Sequence, residues 1–238
     1  MLYTISKKLS SMWAGLFRNR ERFFKDLQFP ISGVDSISFS GDMSSIYSEN
    51  SVRVTIIGTR DIDYKAKADV WRLVHVLKKT SSETCRPLIV SGLALGVDIE
   101  AHKAALECEM PTVAVLPTGL DEIYPYAHAS IAKKITETPG CGLLTQFEDK
   151  TAPIALNFLD RNKTIALMSD LVIVVASKTK GGAMLTAKLA NSFGVPVYAI
   201  PGALDDERRK GCNELIRSGI AKMLPAWEDL NLAALNVK

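Results

Sequence analysis

Ser91-Gly92-Leu93-Ala94-Leu95-Gly96-Val97-Asp98 follows an apolar run, Pro87-Leu88-Ile89-Val90, and precedes Ile99-Glu100-Ala101-His102-Lys103-Ala104-Ala105-Leu106. The apolar run has the length and composition of a buried strand, and the small-residue stretch after the turn reads as a helix. Gly92 and Gly96 let the backbone turn sharply and leave room for a close approach. At the start of the helix, free N–H groups and the dipole favour an anion. The reading is a phosphate-facing loop at the carboxyl end of a parallel strand. A tight turn with no ligand accounts for the loop equally well. The spacing is Gly-x-x-x-Gly, neither a Walker loop nor the Gly-x-Gly-x-x-Gly dinucleotide fingerprint.

Outward from this turn the same alternation repeats. Strands are expected at 52–57, 112–116, 142–145, 171–175 and 195–200. Helices are expected at 69–79, 129–137, 164–168, 183–193 and 214–218, with Arg161 and Lys163 in a loop before the 164–168 helix. The strand segments are apolar without polar alternation, which means both sheet faces are covered. The fold class is α/β: a doubly wound, mostly parallel, extended Rossmann-like sheet with right-handed crossovers. A short helical N-terminal extension and linker occupies 1–50, the sheet domain 51–224, and a short tail 225–238.

Composition narrows the function. A chain of 238 residues with net charge +3 is only mildly basic, and charge alone does not imply nucleic acid. Cys85, Cys108, Cys141 and Cys212 are scattered with no CxxC pair, and the three histidines lack metal spacing. Reduced thiols in a cytoplasmic protein, with no metal and no cofactor, are expected. No apolar run approaches a membrane span, and the N-terminus lacks a signal-peptide core. Six cations face two acids in the first 26 residues, interleaved with Trp13, Phe17, Phe23 and Phe24. This segment reads as a helix packing its aromatic face on the main domain, with a nucleic-acid-binding arm as the second reading. Residues 30–50 read as an irregular linker.

Ligands of such sheets bind outside the carboxyl ends of the strands. Those ends carry Gly58 and Arg60, then Ser91, Gly92 and Gly96, then Gly119, then Lys180, Gly181 and Gly182. Arg161 and Lys163 reach the same edge. Glycine N–H groups and fixed cations on one side of a sheet suit a phosphate-bearing guest, a nucleotide or a nucleic-acid backbone. Asp98 reads as a cap or loop clamp and His102 as a partly buried helix residue. No nucleophile–base pair can be named, and no catalytic residue is assigned.

Five motifs in register extend the reading. They are Gly58-Thr59-Arg60, Ser91 to Leu106, Ala114-Val115-Leu116 through Gly119-Leu120-Asp121 to Tyr124-Pro125, Arg161-Asn162 through Ile165-Ala166 to Ser169-Asp170, and Gly211-Cys212-Asn213 with Leu215-Ile216. Together they resemble the DprA/Smf family of DNA-processing proteins. The resemblance implies a non-enzymatic protein that binds single-stranded DNA and forms a homodimer. It also implies a role in natural transformation, protecting incoming strands and helping to load the RecA recombinase. By motif position, Gly58, Arg60, Ser91, Gly92, Gly96, Gly119, Arg161, Asn162, Lys163, Lys180, Gly181, Gly182 and Thr186 would line the DNA pocket. Leu95 stands where the family commonly has Arg, Leu159 where it has Pro, and Gly181-Gly182-Ala183 where it has Ser-Gly-Ser. A minimal member, with no room for the family's flanking domains, is expected.

Two other functions fit the fold. One is a nucleotide sensor. The other is a phosphoribohydrolase acting on nucleoside monophosphates, whose Pro-Gly-Gly-x-Gly-Thr-x-x-Glu turn is missing its acid here: Lys188 and Leu189 follow Thr186.

Overall fold

A computed structural model of the chain describes residues 2–6 and 36–232. Among these residues the strands are β1 Leu2–Ser6, β2 Ser36–Gly41, β3 Ser51–Gly58, β4 Arg86–Ser91, β5 Thr112–Val115, β6 Gly142–Thr145, β7 Leu171–Ala176, β8 Val197–Ala199 and β9 Lys222–Met223. The helices are α1 Ser44–Tyr47, α2 Tyr64–Lys79, α3 Val97–Glu107, α4 Ala129–Glu137, α5 Ala155–Met168, α6 Gly182–Ser192 and α7 Lys210–Arg217. One sheet takes the order β1-β2-β6-β5-β4-β3-β7-β8-β9. The β1–β2 and β2–β6 pairs are antiparallel, and all other pairs are parallel.

From β3 the chain steps through β4 and β5 to β6, then returns to lay β7 on the other flank of β3. The point of reversal is therefore the gap between the carboxyl ends of β3 and β7, where open α/β sheets bind ligands. Every residue of β7 is buried, as expected of a strand covered on both faces. On one face Val54, Ile56 and Ile173 pack against Val70, Leu73 and Val74 of α2 and Ala101 of α3. On the other, Ile57, Val172 and Val174 meet Ile165 and Met168 of α5 and Met184 and Ala187 of α6. A third cluster sets Ala132 and Ile135 of α4 against Ala114 and Leu143. A buried ion pair ties β3 to the start of β7. Arg53 Nε lies 3.1 Å from Asp170 Oδ2, its Nη2 3.3 Å from Oδ1, and the Arg53 amide also donates to Oδ2 at 2.9 Å.

Several segments differ from the sequence reading. Residues 36–41, expected in a linker, form β2. Two apolar residues among serines, Ile37 and Phe39, point into the core and suffice for a strand held antiparallel between β1 and β6. Residues 2–6 form β1, and the aromatic helix expected over residues 12–27 lies outside the described residues. Helix α2 begins at Tyr64 because the Asp63 carboxylate accepts from the Ala66 N–H at 2.7 Å. Arg161 and Lys163 lie on helix α5: nothing between Ala155 and Met168 breaks a helix, so it runs unbroken from just after Pro153. The tail contributes to the core through Leu230 and Leu232, each 2% exposed.

Candidate nucleic-acid interface

A cleft of about 490 Å³ opens at the carboxyl ends of β3 and β7. It is lined by Gly58, Thr59, Arg60 and Asp61 after β3, by Ser177, Lys178, Lys180, Gly181 and Gly182 after β7, by Phe158, Arg161 and Asn162 from α5, and by Ala94 and Asp98.

The open helix N-terminus in the cleft belongs to α6. Gly181 is its N-cap and has no side chain to cover the first N–H groups. Gly181 is exposed, with no atom near the position a Cβ would take, and Gly182 has only Asn162 Nδ2, 3.5 Å away. The exposed Lys180 precedes this N-terminus. Thr186 lines the cleft, but its hydroxyl donates to the Gly182 carbonyl at 3.0 Å. A helix of 11 residues ending on uncapped glycines beside a lysine suits an anionic oxygen.

The α3 turn, which the sequence offered first, is internally satisfied. The Gly92 N–H donates to Asp98 Oδ2 at 3.2 Å, the Val97 N–H to the Thr59 carbonyl at 3.2 Å, and the Ser91 hydroxyl to the Ile56 carbonyl at 2.7 Å. Gly96 has φ of +79°, which only glycine adopts without strain. A Cβ on Gly58 would lie 2.7 Å from the Ala176 carbonyl oxygen, so β3 and β7 meet there too closely for any other residue.

Arg161 is 4% exposed. Its Nη1 donates to the carbonyls of Gly92 at 2.5 Å and Val115 at 2.8 Å, and its Nε to Asn162 Oδ1 at 3.1 Å. Burial pulls its pKa down to about 10, against the pull of Asp98, so it stays charged at neutral pH. It forms the charged floor of the cleft and ties α5 to two strand ends. Lys163 turns the other way and pairs with Asp160 at 2.7 Å. Gly119 packs against the 148–151 loop, with Glu148 O 2.5 Å from its Cβ position. Neither Lys163 nor Gly119 lines the cleft.

An aromatic surface borders the charge. The Phe158 ring has Arg60 Cζ 5.5 Å from its centroid, Arg161 Cζ 5.8 Å away and Tyr124 edge-on at 5.6 Å. Leu95 and Tyr124 continue it as partly exposed side chains around a small hollow shared with Arg60 and Pro125. Asp61 is held below the usual carboxylate range, first by Arg208 and then by Lys178, with which it forms ion pairs. Arg208, which braces Asp61 of the cleft lining, and the buried Arg209 were not singled out from the sequence. Arg209 pairs with Asp69 and donates to the Val175 carbonyl at 3.4 Å, anchoring the 201–209 loop. In the sequence they follow Asp205-Asp206-Glu207, and no spacing marks them as structural. Among the described residues no group of three potential metal ligands occurs, and no helix is long and apolar enough to cross a membrane.

A doubly wound sheet with an uncapped, cation-flanked helix N-terminus at its switch point defines a Rossmann-like protein with a cation-lined cleft. Residues 36–234 match the model of the DNA recombination-mediator protein A family, and the chain belongs to that family. It is 33% identical over 180 residues to DNA processing protein DprA of Streptococcus pneumoniae, covering 75% of this chain and 60% of that protein. It is 39% identical over 131 residues to protein Smf of Escherichia coli, covering 55% of this chain and 35% of that protein. The chain thus spans less than two thirds of the first relative and about a third of the second. A solved structure of DNA processing protein A from Helicobacter pylori, described for its single-stranded DNA binding mode, superposes with a TM-score of 0.75 at 31% identity, covering 89% of this chain and 91% of that one.

Proposed function

We propose that the cleft binds single-stranded DNA, without catalysis, as part of DNA processing in the cytoplasm. The observation that carries this reading is the pairing of two unlike surfaces. The open N-terminus of α6, with Lys180 and Arg60, suits backbone phosphates. Phe158, Tyr124 and Leu95 suit base faces beside them. The likeness to the Helicobacter pylori protein supports the same ligand. On this reading the protein shields incoming strands, acts as a homodimer and assists loading of a RecA-type recombinase.

A mononucleotide sensor or hydrolase on the same fold is the competing function. The two carboxylates lining the cleft count against hydrolysis, because Asp61 is ion-paired and Asp98 is bonded to the turn. The test is fluorescence anisotropy of labelled oligothymidine across a salt series, with duplex and mononucleotide competitors. Arg60→Ala and Lys180→Ala should each weaken binding and flatten the salt dependence by about 0.7 in log–log slope for each phosphate no longer neutralised. Absence of strand binding, or complete displacement by a mononucleotide, overturns the proposal.

A further inference from the structure

Two helix N-termini of ordinary length face the cleft, and they differ in what fills them. At α6 the first N–H groups are open. At α3 the turn carries its own anion. The Asp98 side chain folds back over Ser91–Gly96 and accepts from the Gly92 N–H at 3.2 Å, with the Ala94 N–H close by. Asp98 is 7% exposed. A Cβ added to Gly92 would lie 2.7 Å from Arg161 Cζ and 2.8 Å from Asp98 Oδ2, so guanidinium and carboxylate enclose that glycine from one side. Converging glycine-turn amides with a buried cation beside them are the surroundings a phosphate oxygen needs. Here a carboxylate oxygen has them.

We propose that Asp98 is a specificity-determining residue: an intramolecular anion that occupies the phosphate seat of the glycine turn and restricts ligand phosphates to the α6 side of the cleft. A nucleoside monophosphate is thereby denied the α3 seat. A linked strand, which needs only a phosphate at α6 and a base on the aromatic rim, is not. The selectivity half of this inference rests on the strand-binding reading; the occupied seat does not.

The two halves separate in experiment. Asp98→Ala removes the carboxylate and leaves the Gly92 N–H facing a cavity beside Arg161. Formate, a free copy of the missing group, should then restore most of the fall in melting temperature, saturably, relative to chloride at equal ionic strength; wild type should show no such formate-specific gain. If the variant is unfolded in chloride, the same comparison reads recovery of native structure. No formate-specific effect on the variant, or an equal one on wild type, overturns the occupied seat. In the second arm, deoxythymidine monophosphate should compete with labelled oligothymidine at least tenfold better on Asp98→Ala than on wild type. Equal competition overturns the selectivity. If neither protein binds the strand, the strand-binding reading and its selectivity fall together, while the formate arm still decides the seat.

Discussion

The guanidinium of Arg60 lies over the ring of Phe158, its carbon 5.5 Å from the ring centroid. Cation–π attraction of this kind contributes about 0.5–1 kcal/mol at exposed sites. It holds a flexible cation beside an aromatic face at the mouth of the cleft. A strand bound there places a phosphate near Arg60 and a base near Phe158. Phe158→Leu keeps an apolar side chain on α5 but removes the face. Its expected cost is about 1–3 kcal/mol of strand affinity, the usual range for removing one base–aromatic stack. The salt dependence should hold, because every phosphate keeps its cation. Anisotropy titrations at two or more salt concentrations separate this outcome from that of Arg60→Ala.

Leu95 gives a second handle on the same rim. It is 49% exposed and borders the hollow formed with Tyr124, Pro125 and Phe158. Leu95→Arg adds a cation at that border, where the resembling family commonly carries one. Strand affinity should rise at low salt and the log–log salt slope should steepen by about 0.7, the value for one further phosphate neutralised. Unchanged slope with higher affinity would mean the arginine stacks on bases instead.

What the sequence showed of this molecule was set by the range of the interactions involved. Strands such as 171–175 were legible because β-branched runs covered on both faces need no tertiary information to be recognised. The glycines at strand ends were legible as close approaches for the same reason. The contents of the Ser91–Asp98 turn were not. Whether its amides face a ligand or the Asp98 carboxylate depends on side-chain direction, which spacing does not encode. Arg161 was singled out as a cation, but its donors go to Gly92 and Val115, 69 and 46 residues away. Strand β2 was missed because its signal is two apolar residues, Ile37 and Phe39, whose burial is supplied by β6 and the core beyond.

The Arg53–Asp170 pair sets a stability prediction. Both side chains are buried, and the contact is bidentate with a backbone amide added. Removing one partner leaves an uncompensated buried charge, so Arg53→Met or Asp170→Leu alone should each cost about 3–5 kcal/mol. The paired replacement Arg53→Met with Asp170→Leu should cost much less than the sum of the single changes, since no charge is stranded. Denaturant titrations of the four proteins close the cycle. Additive effects would show that the two residues contribute independently.

His102 sets the acid limb of stability. It is fully buried between α3 and the sheet. The Thr112 hydroxyl donates to the Ile89 carbonyl at 3.0 Å, so it accepts from His102 Nδ1–H at 2.8 Å. The ring is then the Nδ1–H tautomer, and its buried Nε2 has no hydrogen-bond partner. Burial first, then His128 and Arg161, pull its pKa from 6.5 down to about 3. The folded protein therefore refuses a proton that the unfolded chain accepts throughout that interval. Stability from this group is complete above pH 6.5 and falls as pH drops toward 3, by up to about 1.4 kcal/mol per pH unit. Burial raises the pKa of Asp98, which acts in the opposite direction, so the comparison must be between variants and not between pH values alone. His102→Gln keeps an amide donor for Thr112 and cannot titrate. Its unfolding free energy should fall less steeply than that of wild type between pH 6 and pH 4 by about that slope. Parallel acid limbs in the two proteins would assign the proton uptake to another group.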